Sequence, residues 1–249
     1  MRNFKIILAY DGTEFCGWQV QPDAPSIQAA LASAIGRVTG EKVLPQGSGR
    51  TDAGVHALGQ VASLSLESRI PTANLVIALN DVLPPSIRVL ECTEVEEGFH
   101  ARKSAKAKTY RYRMYRRGIC PPFLARYVWH YPYPLDFDAM KEAAVLVEGE
   151  HDFTSFAAVD PEQGKEEKIS NLRTVFSSRM SAAEDEFVYE IRGNGFLHHM
   201  VRNVMGTFLL VGKKTIGPED VSRILEDRKR SAAGATAPAC GLYLVSVEY

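Results

Sequence analysis

The sequence predicts an α+β fold: two ferredoxin-like units sharing one mostly antiparallel sheet, with helices on one face and an active cleft on the other. Three observations carry this reading. Strand and helix periods alternate in the order β-α-β-β-α-β through the first half, a similar order recurs in the second, and no Gly-, Ser- or Pro-rich linker separates them. Residues 4–10 alternate as a strand. Ile27, Ala30, Leu31, Ala34, Ile35 and Val38 recur at helical spacing behind Ser26, a capping residue. Short strands near 42–46 and 59–66, a helix near 72–82 and a strand near 87–97 complete the first unit. From Ala107 a strand runs to about 116, another lies near 126–131, and a helix spans Phe137 to Val147. Strands near 172–181 and 186–193 follow, then a long helix from about 197 to 212, a short one near 218–227 and a last strand over 242–248. The units are expected at 1–105 and 106–249, with a cleft where they meet; proline pairs at 84–85 and 121–122 mark turns.

A chain of 249 residues with 45% hydrophobic content buries a full core without covalent staples. Cys16, Cys92, Cys120 and Cys240 stand far apart and form neither a zinc-ligand spacing nor a disulfide framework, which fits a reducing cytoplasm. The apolar run Ile6 to Ala9 meets Asp11 too soon for a signal peptide. Val204 to Val211, the longest candidate span, falls well below the ~20 residues of a membrane helix. A soluble, cytoplasmic protein is expected.

Net charge is −1, which argues against a protein coated in positive charge for nonspecific nucleic-acid binding. Its distribution is uneven. Between Ala101 and Arg117 lie eight basic residues (Arg102, Lys103, Lys106, Lys108, Arg111, Arg113, Arg116 and Arg117) and no acid, interleaved with Tyr110, Tyr112 and Tyr115. Acids collect at Glu91 to Glu97, Asp160 to Glu167 and Glu184 to Glu186. A basic strip on a neutral body is the footprint of a partner whose phosphates touch one face; a solvated edge strand guarded by Lys and Arg gives the same pattern.

Chemistry is expected in the run from Gly47 to His56, GSGRTDAGVH, which holds one carboxylate, Asp52. Glycines at 47, 49 and 54 permit unusual backbone conformations and close approach of a large ligand, so Asp52 is presented rather than buried. The glycine spacing fits neither a dinucleotide fingerprint nor a P-loop, and an ordinary Asp turn is the plain alternative. On the helix from Leu197 to Gly212, His198 and Arg202 share one face beside an apolar stripe. A largely buried arginine requires an anion, for which Asp52 is the candidate; a local acid or a phosphate is the alternative. His198 and His199 are adjacent, so they cannot chelate a metal as an i, i+4 pair would, and are read as packing or hydrogen-bonding residues. Tyr110 shares a strand face with Tyr112 and Met114, as a core tyrosine or as a stacking platform for an unstacked base.

Six segments resemble the tRNA pseudouridine synthase A family: 9–21 (AYDGTEFCGWQVQ), 48–64 (SGRTDAGVHALGQVASL), 100–114 (HARKSAKAKTYRYRM), 148–156 (EGEHDFTSF), 194–212 (NGFLHHMVRNVMGTFLLVG) and 241–249 (GLYLVSVEY). They span nearly the whole chain, and the second is highly specific. The resemblance implies isomerisation of uridine to pseudouridine at positions 38 to 40 of the tRNA anticodon arm, without a cofactor, by a homodimer. It matches Asp52 to the family's catalytic aspartate, Tyr110 to its base-stacking tyrosine, Arg202 to the arginine paired with that aspartate, and Arg50 to the arginine that assists base flipping. Lys103, where an aromatic residue is expected, and the acidic insert from Asp160 to Glu167 depart from the pattern.

Two other functions compete. Paired RNA-recognition sheets without catalysis also fit an aromatic, basic strip, but such a surface gains nothing from a presented carboxylate. Asp11-Gly-Thr13 also follows an apolar strand, as in aspartyl phosphotransferases, yet it lacks a second Asp two residues on and a magnesium set.

Overall fold

The computed structural model describes residues 1–158 and 170–249. The acidic insert from Asp160 to Glu167 lies outside the described residues. Ten strands and five helices are found among the described residues. In chain order the first half holds β1 (Arg2–Tyr10), α1 (Ile27–Thr39), β2 (Gln46–Gly47), β3 (His56–Leu66), α2 (Thr72–Val82), β4 (Ile87–Val95) and β5 (Ala107–Tyr115). The remainder holds β6 (Trp129–His130), α3 (Phe137–Val145), β7 (Gly149–Asp152), β8 (Leu172–Ala183), β9 (Glu186–Gly193), α4 (Met200–Gly212), α5 (Asp220–Asp227) and β10 (Leu242–Glu248). None of these helices is long and apolar enough to cross a membrane.

The first compact unit comprises Met1–Lys108 together with Tyr243–Tyr249. Its strands run β4-β1-β3-β10, with β2 also on β3. β1 is antiparallel to both β3 and β4, whereas β10 joins β3 in parallel through Tyr243 opposite His56 and Leu244 opposite Ala57. Alternation along β1 turns Phe4, Ile6, Leu8 and Tyr10 inward, as a half-buried strand requires. α1 starts where Ser26 accepts the Ala29 N–H at 3.3 Å and stops at Gly40, whose φ of 78° closes the helix with a left-handed cap. Its buried face carries Ile27, Leu31, Ala34 and Ile35, the helical spacing evident in the sequence.

The second unit comprises Thr109–Leu242, with strand order β5-β9-β8-β7 and β6 parallel to β5. β8 is antiparallel to β7 and β9. α3 packs on β8, and α4 meets the sheet where Phe208 stands edge-on to Tyr189 at 5.2 Å between centroids. A strap over residues 230–237 crosses α4 so closely that a Cβ on Gly206 would lie 1.7 Å from the Ala235 carbonyl oxygen. Buried Asn203 fastens this strap: its Nδ2 donates to Phe156 O at 2.7 Å, while its Oδ1 accepts from Thr236 Oγ1 at 2.7 Å and Arg230 at 2.9 Å.

Both units are α+β with mostly antiparallel pairing, as the sequence predicts. Four details differ. The strand expected near 42–46 shrinks to Gln46–Gly47, and the one near 126–131 to Trp129–His130, each joined to a neighbour by only two pairs. β7 was not expected. The helix expected from Leu197 begins at Met200, because His199 takes a left-handed conformation, φ 59°, that a helix cannot include. Against the division at 1–105 and 106–249, the last strand belongs with the first unit, since its partners His56 and Ala57 lie on β3.

Candidate active site

In the first unit the chain from Ser48 to Val55 is a loop between β2 and β3. Asp52 is half-buried within it. Its carbonyl accepts the Val55 N–H at 3.1 Å, forming a turn that uses Gly54 at φ 75°. A second loop, residues 11–18, lies against the first: Gly54 N donates to Phe15 O at 3.2 Å and Trp18 N to Thr51 O at 3.0 Å. Two glycines make that approach feasible. A Cβ at Gly12 would meet Val55 O at 2.0 Å, and one at Gly17 would meet Thr51 O at 2.5 Å. Two of the sequence segments that carried the family resemblance are therefore one piece of structure.

Lys108 closes the same loop from a third direction, donating to Ser48 O at 2.5 Å. Arg50 is exposed, and its Nε donates to Gln19 Oε1 at 2.7 Å, which ties the guanidinium to the neighbouring loop. Asp11 has other work: its Oδ1 accepts from Thr13 N at 2.9 Å and Thr13 Oγ1 at 2.5 Å, and lies 3.3 Å from Nδ1 of buried His56. That Nδ1 also accepts the Gly12 N–H at 3.1 Å, so Asp11 and His56 shape the loop beside Asp52. An Asx turn of this kind gives no support to a phosphotransferase reading of Asp11.

Tyr110 and Arg202 belong to the second unit. Tyr110 is only 7% exposed and stands edge-on to Phe196 at 5.0 Å, on the strand face it shares with buried Tyr112 and Met114. Tyr112 is a core residue whose hydroxyl donates to Pro238 O at 2.7 Å. Arg202, half-buried on α4, is clasped by the strap: its Nε donates to Ala237 O at 2.8 Å and its own carbonyl accepts the Ala237 N–H at 3.1 Å. Burial pushes the Tyr112 phenol well above its ordinary range, and the positive charge of Arg202 pulls it the other way, which places that guanidinium within electrostatic reach of β5. The rings of His198 and His199 lie 3.9 Å apart between centroids.

The basic strip is less free than the sequence suggests. Arg111 pairs with Glu190 at 3.0 Å, Arg113 with Glu186 at 2.6 Å and Arg117 with Asp185 at 2.5 Å, while Arg116 donates to the carbonyls of Tyr131 and Tyr133. Acids that stand apart in the chain return through β9, the strand beside β5. Arg102, Lys103 and Lys106 remain exposed. Sequence reasoning passed over Tyr10 and Gln60; the one available signal was a lone amide in the apolar run of β3.

Similarity to known proteins places this arrangement among RNA-modifying isomerases. A family model described as tRNA pseudouridine synthase matches residues 6–102 and 143–249, and the chain belongs to that family. A protein from Solibacter usitatus named tRNA pseudouridine synthase A is 50% identical, with all of both chains covered. Proteins of the same name from Thermoanaerobacter sp. and Moorella thermoacetica are 44% identical over 100% of both chains and 46% identical over 98% of both chains, respectively.

Proposed function

We propose that this chain converts uridine to pseudouridine at positions 38 to 40 of the tRNA anticodon arm, as a cytoplasmic homodimer that needs no cofactor. Family membership and the relatives' shared name support the reaction and the substrate. Uridine and pseudouridine contain the same atoms. The enzyme breaks the N1–C1′ bond, turns the uracil, joins C1′ to C5, releases the C5 proton to solvent and takes one proton onto N1, with no change of oxidation state. Asp52 is the proposed catalytic group, and its carboxylate serves in any of three ways: attack at C1′, attack at C6, or removal of the C2′ proton. Each requires the ionised form. Arg202 is assigned the partner role, since a guanidinium favours a carboxylate's charged state.

A stem uridine is inaccessible until it leaves the stack, at a cost of a few kcal/mol. Tyr110 is assigned the extruded base, recovering about 1 to 3 kcal/mol by stacking, and Arg50 the vacated space. The observation that carries the reading is the Asp52 turn, held by the Val55 N–H within the loop, by Gly54 N–H donated to Phe15 of the adjoining loop, and by Trp18 N–H donated from that loop to Thr51. Tritium release from tRNA labelled at uridine C5 tests it. Wild type releases tritium, whereas Asp52→Asn binds tRNA and releases none. Near-normal release by the variant removes Asp52 from the mechanism, and no release by wild type leaves a binding module.

A further inference from the structure

Beneath the Asp52 loop lies a side-chain amide with every hydrogen-bonding valence in use. Gln60 is 0% exposed on β3. Its Oε1 accepts the Ser48 hydroxyl at 2.7 Å and the Val61 N–H at 3.1 Å; its Nε2 donates to Gly49 O at 3.0 Å and to the Tyr10 hydroxyl oxygen at 3.3 Å. The orientation of the amide is unambiguous, because a backbone N–H only donates and a carbonyl only accepts. Tyr10 is also buried, and its hydroxyl lies 2.9 Å from Thr51 Oγ1. The tyrosine oxygen thus accepts from Gln60 while it shares a hydrogen bond with the Thr51 hydroxyl. Burial pushes the Tyr10 phenol up to about 12, so the hydroxyl stays protonated at neutral pH.

We propose that Gln60 and Tyr10 are positioning residues for the reaction: through Ser48, Gly49 and Thr51 they fix the segment that leads into Asp52. The inference rests on Asp52 being the catalytic carboxylate. One amide reaches Ser48 and Gly49 directly and Thr51, the residue immediately before Asp52, through one phenol. Backbone contacts with residues 11–18 hold the loop at Thr51 and Gly54, on either side of Asp52. The Gln60–Tyr10–Thr51 chain ties Ser48 and Gly49 to Thr51 from beneath. Such a bridge acts on geometry at the reacting centre, where a displacement of about 1 Å costs about a hundredfold in rate.

Tyr10→Phe removes the bridging hydroxyl alone. Thr51→Val removes its partner with shape retained, and Thr51→Ser keeps the hydroxyl. Single-turnover rate, tRNA Kd and thermal unfolding are measured for each, with activity assayed well below every Tm. The expected result is a rate loss of about tenfold or more for Tyr10→Phe and Thr51→Val, with Kd within about twofold, near-normal rate for Thr51→Ser, and a double variant no slower than the worse single. Unchanged rates in both, an equal loss in Thr51→Ser and Thr51→Val, or a loss confined to Kd or Tm overturns the proposal. Asp52→Asn run in parallel separates the two claims: activity in that variant removes the catalytic assignment, whereas an inactive Asp52→Asn beside a normal Tyr10→Phe removes only the positioning role.

Discussion

A methyl group on residue 17 would stand 2.5 Å from the carbonyl oxygen of Thr51, so Gly17 approaches Thr51 more closely than any residue with a Cβ could at that position. Gly17 also has φ 96°, a conformation that L side chains rarely adopt. Gly17→Ala is expected to cost about 1 to 3 kcal/mol, roughly 2 to 4 °C of Tm per kcal/mol, and to slow catalysis by moving Thr51. Calorimetry with single-turnover assays checks both. An unchanged Tm would mean that the two loops are not held together.

Arg202→Lys keeps the charge but loses the planar fork and the Nε–H that Ala237 accepts at 2.8 Å. A drop in turnover of about tenfold, which corresponds to about 1.4 kcal/mol in the barrier, is expected with tRNA affinity retained. A rate equal to wild type would show that a bidentate arginine is unnecessary.

Tyr110→Phe keeps the ring and its edge contact with Phe196. If stacking is its contribution, tRNA binding stays within about twofold, while Tyr110→Ala loses about 1 to 3 kcal/mol of binding. Filter-binding titrations of both variants decide. A large loss in the phenylalanine variant would transfer the role to the hydroxyl.

Asp136 caps α3, and its carboxyl is held below the ordinary range first by the Ala139 N–H at 3.1 Å and then by Lys214, also at 3.1 Å. A carboxyl depressed in the folded state stabilises above its unfolded value and loses that contribution as pH falls through the folded one. Asp136→Ala should therefore unfold at lower temperature than wild type at pH 7, and the gap should narrow below about pH 4. A gap independent of pH would assign the effect to helix propensity instead.

Elements with dense local signals were legible in the sequence. The Ser26 cap and the Ile27–Leu31–Ala34–Ile35 stripe placed α1, and the isolated carboxylate among glycines marked the loop of Asp52. Signals that depend on distant partners were not. Two-residue strands such as β2 and β6 exist only through pairing, which periodicity does not record. Arg111 and Arg113 read as phosphate contacts until β9 brings Glu190 and Glu186 beside them. Gln60 drew no notice in the sequence; its meaning lies in Tyr10, fifty positions earlier, and in the loop before it.

Every residue from 109 to 242 intervenes between the first 108 positions and the strand that completes their unit. As a nascent polypeptide leaves the ribosome, the second unit emerges whole, with all its neighbours present. The first must wait. Until residues 243–248 arrive, His56 lacks the Tyr243 ring that stacks on it at 4.9 Å, and Glu248 has not accepted the Lys106 N–H. The stretch after residue 242 thus completes a unit begun before residue 109, and translation stopped at residue 242 would yield a chain whose Asp52-bearing sheet lacks one of its strands.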